Sequence, residues 1–212
     1  AALARKYVGD NPLLIYLPET DFDVEEFLRK VNAAFEKNCN VVVCVSEGIH
    51  DKDGTFICEY DSAAGTDAFG HKMLAGCGKY LENLVRSRLG VKARSVELNV
   101  SQRCSASLIS ATDQKEAITA GKFGVQAALN GETGKMVSFI RQTDSEGNYQ
   151  MVCGLEDVNA ICNEEKTVPL TWITSDGHDV TEDFIRYARP LIQGNIEVPL
   201  GEDGLPKFVY RK

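Results

Sequence analysis

Two apolar runs on either side of an amphipathic segment constrain the fold of this chain most strongly. Residues 12–19 (PLLIYLPE) and 40–48 (NVVVCVSEG) are short and largely uninterrupted by polar side chains, which is typical of strands covered on both faces. Residues 23–38 between them repeat apolar side chains at helical spacing, and Asp23 followed by Glu26 is typical of a helix start. A strand, a helix and a strand with short connections predict a parallel pair and an α/β fold.

The rest of the chain continues this mixture of helices and strands. The sequence predicts helices at 71–89, 107–131 and 180–192 and strands at 96–104 and 135–142. Asp113 and Glu116 have the spacing of a capped helix start, with Asp113 as the cap. Asp179 and Glu182 have the same spacing, which predicts a second such start.

Composition argues against several classes of partner. The 212 residues carry a net charge of −8 and a pI near 5.0, which disfavours nucleic acid and anionic membrane surfaces. No apolar run approaches the roughly 20 residues that a membrane helix needs, so we expect no membrane partner. The seven cysteines lack the spacing of a zinc or iron–sulfur site, and scattered thiols of this kind indicate a reducing cytoplasm.

Polar side chains end two of the predicted strands, where open α/β sheets bind their ligands. The strand at 40–48 finishes with Ser46 and Glu47, and the strand at 96–104 (VELNVSQRC) finishes with a polar run. An arginine fork matches phosphate oxygens bidentately, and a glutamate accepts hydrogen bonds from sugar hydroxyls. Glu47 and Arg103 therefore suit a substrate that carries hydroxyls and a phosphate. The alternative is that Glu47 and Arg103 pair with each other or face water.

Other polar or reactive residues indicate structure rather than chemistry. The glycines of residues 121–124 (GKFG) lie mid-helix, so we expect them to permit close helix packing and not to bind phosphate. Cys104 is expected to be a small buried residue rather than a reactive thiol. The aspartates between residues 51 and 61 do not match an EF-hand, and Asp53-Gly54 predicts a small hairpin. No triad order includes the three histidines, His50, His71 and His178. The sequence therefore assigns no catalytic residue and no metal ligand.

Six segments, taken in order, resemble the C-terminal half of a 6-phosphofructokinase of the bacterial pyrophosphate-dependent branch. They are VVVCVSEGI, DAFGHKMLAGCGKYL, VELNVSQRC, TGKMVSF, VPLTWI and DVTEDFIRYARPLIQG. The resemblance covers nearly all of the chain. It implies a Rossmann-like three-layer α/β/α fold with a mostly parallel sheet, the phosphofructokinase fold. Residues 1–212 would form the sugar-phosphate-binding portion, with returning C-terminal segments at about 135–212.

The resemblance also implies roles for particular side chains in moving a phosphoryl group from pyrophosphate to the 1-hydroxyl of fructose 6-phosphate, in glycolysis. Glu47 matches the family's sugar-binding glutamate at a strand end. Arg103 matches the arginine that contacts the 6-phosphate within a subunit. Arg94, nine residues earlier, matches the arginine that reaches the same phosphate across a subunit interface. A homodimer or homotetramer is therefore implied.

One position departs from the family pattern. Val100 stands where many members carry a histidine or tyrosine three residues before the second arginine. A valine side chain cannot make a hydrogen bond, so the contact would come from Asn99, Ser101 or Gln102 or be lost.

The family's donor-phosphate and catalytic motifs, Gly-Gly-Asp and Thr-Ile-Asp, do not occur in these residues. The resemblance therefore implies that the donor-binding half, which holds most of the magnesium ligands, lies outside this chain, and that the chain alone is inactive. Two alternatives stay open at this point. The donor could be ATP instead of pyrophosphate, or the chain could be a non-catalytic, sugar-phosphate-binding regulatory domain.

Overall fold

The computed structural model describes residues 1–60, 76–105 and 108–207. The chain divides into two compact units, and each unit is assembled from two separate stretches. Unit 1 consists of Ala1–Leu98 and Thr167–Arg186, and unit 2 consists of Asn99–Lys166 and Tyr187–Lys212.

Unit 1 contains the predicted strand–helix–strand arrangement. Strand β1 (Leu14–Tyr16) pairs in parallel with strand β2 (Val43–Val45), and helix α1 (Val24–Lys37) connects them. The predicted helix start is confirmed, because the Asp23 carboxylate accepts a hydrogen bond of 2.7 Å from the backbone N–H of Glu26. Both strands are shorter than the apolar runs that predict them.

One hydrophobic cluster holds unit 1 together. Its buried members include aromatic residues of β1 and α1, two isoleucines of the following loops, and residues of helix α2 (Cys77–Leu89). They are Leu14, Tyr16, Phe22, Phe27, Leu28, Val31, Ile49, Ile57, Cys58, Cys77, Leu81 and Val85. The Tyr16 ring lies edge-on to Phe22 and Phe27, with ring centroids 5.0 and 5.7 Å apart. Burial of these rings supplies most of the drive to fold this unit.

Two further predictions for unit 1 can be compared with the structure. The Asp53-Gly54 hairpin is confirmed: Gly54 has a φ of +79°, and the N–H of Asp51 donates to the carbonyl of Thr55 at 3.0 Å. The helix predicted at 71–89 is present as α2 and ends at Leu89, before Gly90 in the left-handed conformation. Residues 71–75 lie outside the described residues.

The strand predicted at 96–104 is wrong. Residues 91–98 are irregular, Asn99 turns the chain with a φ of +38°, and Ser101–Cys104 form a four-residue helix, α3. The alternating apolar side chains are not covered by a packed layer, since Val96 is 82% and Leu98 is 60% exposed. Within the described residues no neighbouring strand satisfies this backbone, so the alternating pattern does not produce a strand.

Unit 2 consists of a long helix, a hairpin and short helical turns. Helix α4 (Ala111–Leu129) precedes strands β3 (Lys135–Thr143) and β4 (Tyr149–Asp157), which pair antiparallel. The sequence predicts the first strand and misses the second. Helix α5 (Val158–Ile161) follows, and helix α6 (Glu182–Ala188) spans the boundary between the units.

Close packing of α4 on the hairpin depends on one of its two central glycines. A Cβ on Gly124 would lie 3.3 Å from Cγ2 of Val137 in β3, whereas a Cβ on Gly121 would meet nothing within 4 Å. The packing prediction is therefore confirmed for Gly124 and wrong for Gly121.

The start of α4 differs from the prediction. Its cap is Ser110, whose hydroxyl oxygen accepts from the N–H of Asp113 at 3.0 Å. The same hydroxyl donates to the carbonyl of Leu191 at 2.6 Å, and the N–H of Ala111 donates to the carbonyl of Gly194 at 3.0 Å. Asp113 is thus a first-turn residue, because the returning C-terminal stretch fixes the helix start three residues earlier.

The start of α6 also differs from the prediction. The helix begins at Glu182, and the Asp179 carboxylate pairs with the guanidinium of Arg5 at 2.6 Å instead of capping it. The helix predicted at 180–192 is divided, since residues Arg189–Ile192 form a 3-10 turn around Pro190. Proline lacks the N–H that an α-helix needs at this position.

Candidate functional site

Glu47 lies in the turn directly after β2, where the sequence places it. The N–H of Ser46 donates to the carbonyl of Tyr16 at 3.0 Å, which extends the β1–β2 pairing to the residue before Glu47. The Glu47 side chain is exposed. Its position at the carboxyl end of a parallel strand is the usual place for a ligand-binding carboxylate.

The Glu47 carboxylate acts electrostatically on Cys77, the first residue of α2. Burial chiefly, with the neighbouring Cys58 and the carboxylates of Glu97 and Glu47 adding, raises the pKa of Cys77 to about 12. Glu97 lies at the same place, with its Cγ and Oε1 both 3.9 Å from where a Cβ of Gly78 would stand. Two carboxylates at the N-terminus of a helix are favourably placed with respect to its dipole. Their free oxygens can accept hydrogen bonds from the hydroxyls of a ligand.

Arg94 lies in the irregular segment that follows α2. It lines an open cleft of about 480 Å³ beside the second half of α2 and the loop that follows. The lining residues are Glu82, Arg86, Gly90, Val91, Lys92, Ala93 and Arg94. Three cationic side chains face one carboxylate, so the cleft favours an anion. Glu47 is not among the residues that line this cleft.

The segment that carries Arg94 is attached to α2 by a contact that the sequence prediction missed. The Glu82 carboxylate accepts hydrogen bonds from both the N–H and the hydroxyl of Ser95, at 2.9 and 2.8 Å. Lys79 and Arg86 hold the other oxygen of Glu82, at 2.8 and 3.4 Å. The only sequence signal for this cluster is the helical spacing of Lys79, Glu82 and Arg86.

The remaining candidate residues lie together in unit 2. Val100 precedes α3, and Ser101, Gln102 and Arg103 belong to it. The N–H of Arg103 donates to the carbonyl of Val100 at 2.9 Å, which closes the short helical turn. The side chains of Val100, Ser101 and Arg103 are exposed. Cys104 is exposed too, so the prediction that it is buried is wrong: the four-residue helix has no layer packed over it.

The three charged candidates are available to a ligand. In the part of the chain that the structure describes, Glu47, Arg94 and Arg103 are exposed and form no ion pair. Within the described residues, no cluster of three or more histidine, cysteine, aspartate or glutamate side chains could hold a metal ion. The described helices include none that is long and apolar enough to cross a bilayer.

Comparison with known proteins gives clear relatives, although no protein-family model matches the sequence. The chain is 36% identical over 212 residues to the pyrophosphate–fructose 6-phosphate 1-phosphotransferase of Xanthomonas campestris pv. campestris strain B100, covering 100% of this chain and 50% of the relative. The enzyme of that name from Halomonas elongata is 36% identical over 206 residues, covering 97% of this chain and 48% of the relative.

A solved structure gives the same result. The crystal structure of pyrophosphate-dependent phosphofructokinase from Marinobacter aquaeolei superposes with a TM-score of 0.76 at 28% identity, covering 99% of this chain and 49% of that one. The predicted phosphofructokinase fold is thereby confirmed. The chain spans about half the length of the relatives it matches. On its sequence identity and its shared fold, the chain belongs to the family of pyrophosphate-dependent phosphofructokinases.

Proposed function

We propose that this chain is the sugar-phosphate-binding portion of a subunit that transfers a phosphoryl group from pyrophosphate to the 1-hydroxyl of fructose 6-phosphate. The observation that carries the proposal is the 36% identity, over all 212 residues, to a relative named for this reaction. Glu47, Arg94 and Arg103 are exposed and form no ion pair with another described residue, which supports it.

Arg94 and Arg103 bind the 6-phosphate in this proposal. Each guanidinium presents a planar fork of donors that matches two phosphate oxygens, and neither is neutralised by a described carboxylate. Glu47 accepts hydrogen bonds from the sugar hydroxyls and so orients the ring. The hydroxyl of Ser101 and the amide of Gln102 supply the polar contact that Val100 cannot make.

Positioning is the main contribution of these residues to the reaction. Phosphoryl transfer depends on alignment of donor and acceptor and on stabilisation of the spread charge, and it needs little covalent help from the protein. By fixing the phosphate and the ring of the sugar, these side chains place the 1-hydroxyl toward the donor. A bound magnesium ion would neutralise charge on the transferred group. The family resemblance implies that most of its ligands belong to the donor-binding half of the subunit.

The proposal includes a homodimer or homotetramer in the cytoplasm, acting in glycolysis. Arg94 lines a cleft whose lining does not include Glu47. In line with the family resemblance, Arg94 would serve the site of a neighbouring copy. Seven free cysteines are in keeping with a reducing compartment.

The test is the Arg103→Ala variant of the complete subunit that contains this chain. We expect KM for fructose 6-phosphate to rise at least about tenfold, because a charge-assisted hydrogen bond to phosphate contributes roughly 1.5–3 kcal/mol. The control is Arg29→Ala, since Arg29 is already paired with Glu26 on α1 and should leave KM unchanged. An unchanged KM in Arg103→Ala would contradict the assignment.

The donor and the catalytic status are tested with the same preparation. Turnover with pyrophosphate and not with ATP supports the proposal. Turnover with ATP and not with pyrophosphate would show that ATP is the phosphoryl donor. Binding of fructose 6-phosphate without turnover by either donor would indicate a regulatory domain. We expect the 212-residue chain alone to show no phosphotransferase activity. Turnover by that chain would refute the assignment of the donor-binding and catalytic groups to the other half of the subunit.

A further inference from the structure

We propose that Glu82 is a positioning residue for Arg94. It fixes the irregular segment 91–98 against α2, so that the Arg94 guanidinium is held at the open cleft beside that helix. The inference rests on the proposed role of Arg94 in binding the sugar phosphate. Glu82 does not contact substrate in this scheme and acts only through the backbone and side chain of Ser95.

The contact geometry is specific. A single carboxylate oxygen, Oε2 of Glu82, accepts from the backbone N–H of Ser95 at 2.9 Å and from its hydroxyl at 2.8 Å. The side chain of Glu82 is only 9% exposed, so water competes little for these bonds. Ser95 directly follows Arg94, and fixing one peptide unit restricts the direction in which the preceding side chain leaves the backbone.

The Glu82–Ser95 contact supplies the side-chain hydrogen bonds that hold the segment next to Arg94. Residues 91–98 belong to no helix or strand and form no backbone–backbone hydrogen bond with any other described residue. Val91 and Ala93, before Arg94, pack against the hydrophobic cluster of unit 1, whereas Val96 and Leu98, after it, are exposed. A surface segment without regular hydrogen bonds samples many conformations unless something ties it down. The Glu82–Ser95 contact is therefore the main polar restraint on the orientation of Arg94.

Packing reinforces the same contact. Gly78 lies one helical turn before Glu82, and a Cβ at Gly78 would stand 3.3 Å from Cβ of Ser95. The missing side chain lets Ser95 approach the helix closely enough for both hydrogen bonds to Glu82. Glycine in a helix interior costs stability relative to alanine, so this close approach offsets a local loss.

Two neighbouring cations hold the Glu82 carboxylate in its orientation toward Ser95. Lys79 and Arg86 bind its second oxygen, which leaves Oε2 directed at Ser95. The hydrogen bond from Lys79, followed by those from Ser95, lowers the pKa of Glu82 to about 2. An ionised carboxylate can only accept hydrogen bonds, and it therefore cannot switch to a geometry in which it donates. Lys92 and Arg94, the other two cations of the cleft, form no ion pair with a described residue.

The experiment compares variants of the complete subunit by steady-state kinetics. We expect Glu82→Ala to raise KM for fructose 6-phosphate about tenfold and to leave kcat within about twofold, the size of effect that a charge-assisted hydrogen bond produces. Glu82→Gln should show a smaller rise, because an amide oxygen can still accept from Ser95. The matched control is Glu25→Ala: Glu25 also pairs with an arginine of α2, at 2.9 Å from Arg88, but contacts nothing in segment 91–98.

Coupling to Arg94 separates positioning from general stability. If Glu82 acts through Arg94, the double variant Glu82→Ala/Arg94→Ala should have the same KM as Arg94→Ala alone. A further rise in the double variant, or an equal fall of kcat, would overturn the inference. If Glu82→Ala fails to fold, Ser95→Ala removes only the hydroxyl bond, and its KM should rise about threefold. An unchanged KM there would overturn the inference.

The two proposals fail in different ways. An unchanged KM in Arg94→Ala would remove the role of Arg94 and, with it, the role of Glu82. A raised KM in Arg94→Ala together with an unchanged KM in folded Glu82→Ala would overturn the positioning role alone, and the proposed function would stand.

Discussion

The two units of this chain contain similar lengths of helix, and unit 2 contains the longer strands, but they bury their side chains very differently. Every buried side chain that the structure describes belongs to unit 1, where Ile49 and Ile57 are fully enclosed. In unit 2 the nineteen residues of α4 include none that is buried, and Phe139 of β3 is 56% exposed. Regular secondary structure is therefore no measure of how well a region is packed.

The difference follows from what each unit has to pack. In unit 1 a parallel strand pair, α1 and α2 close around one apolar cluster, so hydrophobic burial stabilises it. In unit 2 backbone hydrogen bonds join the two strands of the hairpin, and α4 packs on them through a few half-buried side chains. A lone hairpin with one helix has little apolar area to remove from water. We therefore expect unit 1 to be the more stable region.

The largest expected effect comes from truncating matched phenylalanines in the two units. Phe27→Ala should lower the free energy of unfolding by about 3–5 kcal/mol, because it leaves a cavity in a closed core. Phe139→Ala should cost less than about 1 kcal/mol, since more than half of that side chain already faces water. Urea unfolding of both variants of the chain measures the two values. Equal losses would contradict the contrast between the units.

A smaller effect is expected on acidification, and it should arise in unit 1. The pKa of Glu82 is lowered from 4.5 to about 2, first by Lys79 and then by Ser95. A carboxylate with a depressed folded-state pKa contributes stability that is present above the unfolded value and lost as pH falls toward the folded value. Glu82→Gln should therefore lose less unfolding free energy than the parent chain between pH 4.5 and 2. Parallel losses in urea titrations would show that Glu82 does not titrate in this range.

The smallest effect distinguishes two glycines of α4 in unit 2. Gly121→Ala should stabilise the chain by about 0.5–1 kcal/mol, because alanine is the better helix former and the added Cβ meets open space. Gly124→Ala should gain less, since its Cβ would press on Val137 at 3.3 Å. Thermal unfolding of the two variants compares them directly. An equal gain would mean that α4 does not pack on the hairpin as the structure places it.

Strong local signals explain which parts of the fold could be predicted from sequence. The uninterrupted apolar runs before and after α1 predict two buried parallel strands, and the Asp23 cap is a local contact three residues long. The run Val96–Leu98 has the alternation of a half-buried strand, yet it lies exposed. Alternation describes a strand only if a neighbour pairs with its backbone, and the sequence of the run does not contain that information.

The candidate site divides in the same way. Glu47 and Arg103 could be proposed from segments that resemble a known family, and Arg94 from its spacing nine residues before Arg103; all three are exposed in the structure. Glu82 could not, because its partner Ser95 is thirteen residues away and the contact depends on how the chain returns along α2. The role of Gly78 also depends on that return. Contacts of this kind follow from the tertiary fold and have no local pattern.

The cap of α4 has a consequence for the order in which the chain folds during synthesis. Ser110 and Leu191, which form the hydrogen bond that anchors the start of α4, are 81 residues apart. A ribosome releases the chain from the N-terminus, so α4 emerges long before the stretch that holds its first turn. Over that interval α4 and the hairpin have no partner at this end, while the first stretch of unit 1 already contains the residues of its central cluster. The late arrival of residues 191–194 is therefore the step that completes the region.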